Sequence, residues 1–383
     1  MLDLARQYAG LRQEILSAVE QVLDSQALIL GPAVKRFEAA AAEACGVSQA
    51  IGCASGTDAL WLSLAAARIG PGDAVLTTPF SFFATVSSIL RAGATPLLAD
   101  IDPQTYNLSP AAAEAAILHA RVRDPQMRLR AIMPVHLFGQ CADMDAFGAL
   151  CRHHDLLLIE DAAQAFGADW QGRPAGSLGD AAAFSFYPTK NLSAAGDAGL
   201  VTTSNPELAE RSRMLRNHGM RRRYAHDEVG WNSRLDSLQA AILEVKLRHL
   251  PEWNHRRRTV ATTYDTLLRE TELTAPAGSS SIVDGLVLPF TDPRATHVFH
   301  QYVLRVPRRD DLRQHLALRG IASEVYYPIP LHQQEALMHL NLGDGLLPES
   351  ERAAAEVIAL PIFPELRNDE QQAVVTAIAD FFS

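Results

Sequence analysis

From Ala50 to Ser204, short apolar runs rich in β-forming residues alternate with helical patterns, and this alternation constrains the fold more than any other feature. The runs are QAIGCAS, AVLTTP, TPLLADI, RAIMPVHLF, LLLIED, AAAFSFY and GLVTTS. They show little polar alternation, as expected of strands buried on both faces. Strands and helices in this order predict an α/β architecture, a mainly parallel sheet of about seven strands with helices on both sides. Open sheets of this kind bind ligands outside the carboxyl ends of their strands, so the residues ending each run are where chemistry is expected.

The run AAAFSFY leads through Pro188 into Lys190 and a loop of small residues, FSFYPTKNLSAAGDAG. A lysine is ordinarily a solvated charge, but between an apolar strand and a small-residue loop its long side chain can point into a cleft. Such a lysine is placed to form a Schiff base. Upstream, LLLIED ends in Asp161, followed three residues later by Gln164. A carboxylate there, beside a pyridine ring, would keep the ring nitrogen protonated, the condition under which pyridoxal phosphate acts as an electron sink. Ser55-Gly56-Thr57-Asp58 precedes the helical pattern ALWLSLAAARIG. Gly56 lets backbone N–H groups approach an anion, Thr57 adds a hydroxyl donor, and the helix dipole favours phosphate, although S-G-T-D alone also reads as a helix cap. His136, in PVHLFGQ, ends another run and reads either as a satisfied interior group or as a group on the substrate side.

Taken in order, DLARQYAGLRQEI, CASGTDALWLSLAA, PVHLFGQCADMDA, IEDAAQAFGA, SFYPTKN, GWNSRLDSLQAAIL, YYPIPLH and LPIFPEL span nearly the whole chain. On these stretches the sequence resembles the DegT/DnrJ/EryC1/StrS family of sugar aminotransferases, pyridoxal-phosphate enzymes of the aspartate-aminotransferase fold, type I. The resemblance implies that Lys190 carries the cofactor and moves the proton, while Asp161 faces the ring nitrogen. It implies cofactor contacts from Gly56, Thr57 and Ser185 at the phosphate, from Phe82 (rather than Phe80 or Phe83) on the ring face, and from Gln164 near the ring oxygen. Asn232 would reach the cofactor phosphate of the neighbouring subunit with Arg234 close by, which makes the enzyme a homodimer with shared sites. His136, Arg234, Tyr326 and Tyr327 would lie on the substrate side. The implied organisation is an amino-terminal arm (1–30), a large cofactor-binding domain (31–250) and a smaller α+β carboxyl-terminal domain (251–383).

The implied reaction moves an amino group from glutamate, by way of pyridoxamine phosphate, to a ketone on a nucleotide-linked sugar. A cyclitol aminotransferase and a pyridoxamine-phosphate-dependent sugar dehydratase are the neighbouring readings, and a non-catalytic regulatory protein of the same fold is the reading from another class. The dehydratases carry histidine where this chain has Lys190. Two departures stand out: Tyr326 occupies a position where many relatives have histidine, and Ala198 one where many have glycine.

Composition narrows the partners. A net charge of -10 argues against a nucleic-acid partner, and Arg221 to Arg223 is too short a basic run to change that. Cys45, Cys53, Cys141 and Cys151 form neither a C-x-x-C pair nor a disulfide-dense pattern, and no metal-ligand spacing is evident. The opening residues carry charges at helical spacing where a signal peptide needs an unbroken apolar core, and no apolar stretch approaches a membrane span. A cytoplasmic enzyme is expected.

Overall fold

The computed structural model describes residues 1–276, 278–342 and 347–383. All the β-rich runs join one seven-stranded sheet, β1 (Gln49–Cys53), β2 (Asp73–Thr77), β3 (Thr95–Leu98), β4 (Arg128–Ile132), β5 (Leu157–Asp161), β8 (Ala181–Ser185) and β9 (Gly199–Thr203), in the order β1-β9-β8-β5-β4-β2-β3. Two short strands, β6 (Asp169–Trp170) and β7 (Arg173–Pro174), form a hairpin outside it. From β3 through β8 the neighbours are parallel, and only β9 runs against both β8 and β1.

Helices α2 (Pro32–Cys45), α3 (Gly56–Ala66), α4 (Ala84–Arg91), α5 (Pro110–Arg123), α6 (Met144–His154) and α7 (Pro206–Leu215) pack against the strands on both faces, and α8 (Ser237–Leu247) packs on α2, with α1 (Leu4–Ser25) along α8 and α9 (Leu250–Glu270) following it. Helix α3 is apolar nearly all round, with Ala59, Leu60, Trp61, Leu62 and Leu64 buried, as a helix enclosed by its neighbours must be. It packs on β8, whose Ala181, Ala182 and Ala183 are too small to hold it away. Its start is set by Ser55, whose hydroxyl accepts from the Asp58 N–H at 3.1 Å. Beyond α9, strands Tyr302–Arg305 and Val357–Leu360 pair antiparallel over a separate cluster that includes Tyr264, Tyr302, Leu304, Leu312 and Ile358. Helix α1 packs along α8 and reaches this region through Arg6, whose guanidinium donates to both oxygens of Glu370 at 2.8 and 2.6 Å.

Side chains alternate sides along a strand, so Glu160 and Asp161 at the end of β5 face opposite ways. Glu160 is fully buried. Its Oε1 accepts from the N–H groups of Leu178 (2.7 Å) and Gly179 (2.8 Å). Its Oε2 accepts from the Gly176 N–H (2.8 Å) and lies 3.0 Å from His136 Nε2. The carboxylate thereby fastens the turn that leads into β8 against the strand that carries Asp161. Replacing Glu160 by alanine strands these donors in the interior. The expected loss is about 3–5 kcal/mol of stability, read from the urea midpoint, and a loss below about 1 kcal/mol would show that the turn holds itself.

Candidate active site

A cleft of about 620 Å³ opens where β5, β8 and β9 meet the region beyond α9, and the strand-end residues converge on it. A wider groove of about 1300 Å³ between α1, α2, α8 and the start of α9 contains none of them. Lys190 and Asp161 both line the smaller cleft. Burial pulls the Lys190 ammonium down to about 8, with the Asp161 charge pushing back. Burial also raises the Asp161 carboxyl above its ordinary value, opposed by hydrogen bonds from Thr85 and Ala163 and by the Lys190 charge. Thr85, in the first turn of α4, donates to Asp161 Oδ2 at 2.8 Å, and its own Oγ1 lies 2.7 Å from Ser81 Oγ. The pair is thus a partly desolvated amine facing a carboxylate held from behind.

The amino end of α3 forms another wall. Gly56 and Thr57 line the cleft, and as the first residues of the helix their N–H groups have no acceptor within it. Two close approaches fix this end. A Cβ on Gly56 would stand 2.6 Å from the Ser185 Cβ, and one on Gly199 would stand 2.2 Å from the Ser55 carbonyl oxygen. Ser185, whose hydroxyl accepts from the Tyr187 N–H at 3.3 Å, lines the same wall. Ala198, the departure in the loop after Lys190, also lines the cleft and lies at φ values that need no glycine.

Aromatic rings shape the mouth. Of the three phenylalanines in PFSFFAT, Phe82 lines the cleft and is 59% exposed, Phe80 is fully buried, and Phe83 packs beside Val86 and Leu98. Phe82 lies 6.2 Å from Tyr327, centroid to centroid. Tyr327 accepts from Gln164 Nε2 at 3.1 Å, and Gln164 Oε1 accepts from the Phe138 N–H at 2.7 Å, so the amide ties the mouth to the backbone after β4. Tyr326 lines the cleft beside it.

Three of the expected residues lie elsewhere. His136 is a correction: it is wholly buried and turned from the cleft, which its neighbour Val135 lines instead. His136 Nδ1 accepts from the Ala142 N–H at 3.1 Å, so the ring proton sits on Nε2 and is donated to Glu160; neither nitrogen is left for a substrate. Asn232 is exposed and Arg234 donates to Asn217 Oδ1 at 3.2 Å, and neither lines the cleft of its own chain.

The structure adds residues that the sequence did not single out. Thr85 is one; its signal is its place three residues after Phe82, on the same side of the opening turn of α4. Arg257 and His300 are others, both buried at the cleft. The Arg257 guanidinium, brought down to about 10 by burial, donates to the carbonyls of Phe299 (3.0 Å) and Ile362 (3.2 Å). Burial, reinforced by the Lys190 and Arg257 charges, holds the His300 ring well below its ordinary range. The cysteines are all buried, and burial raises each thiol, which removes them as nucleophiles. Glu114, His153 and His154 bring ligand atoms within 4.8 Å of one another at the junction of α5 and α6, and none of them lines the cleft. No helix among the described residues is long and apolar enough to cross a membrane.

Comparison with known proteins places this geometry. The model of the DegT/DnrJ/EryC1/StrS aminotransferase family matches residues 10–379. A Geobacillus stearothermophilus protein named pleiotropic regulatory protein is 48% identical, over 100% of this chain and 98% of that protein. The UDP-N-acetyl-3-dehydro-alpha-D-glucosamine 3-aminotransferase of Acidithiobacillus ferrooxidans is 43% identical over 99% of this chain and 96% of its own. The dTDP-3-amino-3,4,6-trideoxy-alpha-D-glucose transaminase of Streptomyces venezuelae is 42% identical over 99% and 95%. Among solved structures, that of S. venezuelae DesV in complex with a ketimine intermediate superimposes with a TM-score of 0.91 at 42% identity, covering 99% of this chain and 97% of that one. The architecture is therefore the type I aminotransferase fold.

The depressed Lys190 amine has a direct readout. Acylation of Lys190 by an amine-reactive ester, followed by peptide mass spectrometry, should rise with pH through a midpoint near 8. Asp161→Asn removes the charge that favours the ammonium and should move the midpoint lower still. A midpoint at the ordinary 10.5 would show that the amine is fully solvated.

Proposed function

Because the chain belongs to the DegT/DnrJ/EryC1/StrS aminotransferase family, we propose that it transfers the amino group of glutamate to carbon 3 of a nucleotide-linked keto-sugar, with pyridoxal phosphate as cofactor. The observation that carries this reading is the convergence of Lys190 and Asp161, from the ends of different strands, on one cleft. The relatives support the carbon: the Acidithiobacillus and Streptomyces enzymes are both named for a nitrogen at position 3, one on a UDP-sugar and the other on a dTDP-sugar. The division into an arm, a large domain and a small domain, at residues 30 and 250, belongs to the same proposal.

The residues present fit the cofactor. An amine, a carboxylate held by Thr85 and an unsatisfied helix start share one cavity, and the cradle at Gly56 has no room for a side chain. Gly56, Thr57 and Ser185 would hold the phosphate, Asp161 the ring nitrogen, Lys190 Nζ the aldehyde carbon and Phe82 a ring face, with Gln164 keeping Tyr327 at the mouth. Asn232 of the partner subunit would complete the phosphate site. When bound, pyridoxal phosphate supplies an electron sink that acidifies the C–H bond beside the substrate nitrogen.

The chain's own groups then serve the proton transfer. An amine near 8 is neutral in a useful fraction at neutral pH, so Lys190 Nζ can take a proton from carbon and return it to another atom within reach. Asp161, fixed by Thr85 and the Ala163 N–H, would set its carboxylate against the ring nitrogen, whose positive charge would favour ionisation of the buried acid. The Phe82, Tyr326 and Tyr327 rings limit water at the mouth.

The regulatory reading draws on the name of the Geobacillus relative. A purely regulatory chain has no need for a depressed lysine, a braced carboxylate and an anion-binding helix end in one cavity, which favours catalysis. The test is an absorption spectrum of the purified protein before and after glutamate, with 2-oxoglutarate assayed in the same tube and a panel of UDP and dTDP 3-keto-sugars added next. Bleaching of a yellow band, release of 2-oxoglutarate and a 3-amino product by mass spectrometry are expected, all lost in Lys190→Ala. A colourless protein that gains no band with added pyridoxal phosphate would favour the regulatory reading.

A further inference from the structure

Asp58 stands one residue past Thr57 on α3, yet its side chain does not line the cleft. It is turned to the other side of the helix end, where its two oxygens have separate partners. Oδ1 accepts from Arg91 Nη1 at 2.7 Å, and Oδ2 accepts from the Ser233 hydroxyl at 2.7 Å. Arg91 in turn lies over Trp61, 3.5 Å from the ring centroid, and Trp61 lies 3.6 Å from Trp231. The residues on either side of Asn232, Trp231 and Ser233, are thus both fastened to α3 or to the arginine that braces it. The backbone of the segment is held as well, since the Trp231 N–H donates to the Leu215 carbonyl and the Ser233 N–H to the Arg216 carbonyl. Asn232 itself is left exposed.

We infer that Asp58 is a positioning residue acting in trans: it holds the Trp231–Arg234 segment so that Asn232 is presented to the phosphate site of the partner subunit. The inference rests on the shared-site reading above, in which Asn232 serves the neighbouring cleft. Helix α3 then has two outputs. Its Gly56 and Thr57 end meets the phosphate of its own chain, and its Asp58 face sets the segment that meets the phosphate of the other. A carboxylate beside an anion site is ordinarily repulsive, and the Arg91 ion pair compensates its charge.

Chain-resolved cofactor binding tests this. Apo-protein is titrated with pyridoxal phosphate, and the cofactor is trapped on Lys190 by borohydride, so only chains with Lys190 report. Asp58→Asn and Asn232→Ala should each weaken binding at least tenfold, and the double variant should be no weaker than Asn232→Ala alone. Differently tagged chains then give a mixed dimer of Asp58→Asn with Lys190→Ala. Its only reporting cleft is that of the Asp58→Asn chain, served by the unaltered segment of the Lys190→Ala chain, and it should bind with native affinity. A mixed dimer as weak as the Asp58→Asn homodimer overturns the inference and assigns Asp58 to its own chain's cleft. Native binding by Asn232→Ala overturns the shared-site reading and the inference with it. If Asp58→Asn fails to fold, Ser233→Ala breaks the same link from the other end and should give the same loss and the same rescue.

Discussion

The interior carboxylate of Glu160 is the constraint on which the site depends. A charge removed from water is tolerable only when its lone pairs are filled, and here three backbone N–H groups and an imidazole fill them. Satisfying Glu160 requires the turn at Gly176 to Gly179 to close on β5, and that closure sets where β8 begins. Strand β8 delivers Ser185, and the loop after it Lys190. Because side chains alternate along β5, the arrangement that buries Glu160 also sends Asp161 the other way, into the cleft. One buried side chain therefore fixes the relation between the two groups on which the proposed reaction rests.

How far the sequence speaks can be argued from particular residues. The strands were legible because buried parallel strands are short, apolar and separated by helical patterns, a signal carried by composition and spacing alone. Lys190 and Asp161 were legible because strand ends at the carboxyl edge of such a sheet share one side. Parity was not legible: Val135 and His136 both end a run, and only the tertiary frame decides that Val135 faces the cleft while His136 turns to Glu160. Thr85 was hidden for a related reason, since its partner Asp161 lies 76 residues away and no local pattern reports the meeting. Arg257, on α9, and His300, beyond it, reach the cleft from outside the sheet, and a linear reading cannot see that approach.

The cleft gathers ionisable groups of both signs, Lys190 and Arg257 beside Asp161 and Asp197. Burial lowers Lys190 to about 8, Arg257 to about 10 and His300 well below its ordinary range, so near neutral pH Arg257 stays charged, Lys190 is shared between its two forms and His300 is neutral. Desolvation does two things at once there. It leaves Lys190 partly neutral near physiological pH, and it makes any added anion valuable to the cations around it. The cost of that burial is offset by the backbone carbonyls that receive Arg257 and by the Thr85 hydroxyl and Ala163 N–H that hold Asp161.

The cradle at Gly56 and Gly199 is set by main chain and contact distance, with the Thr57 and Ser185 side chains beside it. A side chain at Gly56 or Gly199 is therefore rejected by the packing outright. The mouth is the reverse, lined by the aromatic side chains of Phe82, Tyr326 and Tyr327. A lineage built on this plan can change what it admits while keeping what it anchors. The two kinds of inheritance are written in different parts of the polypeptide, one in the backbone and the other in the side chains above it.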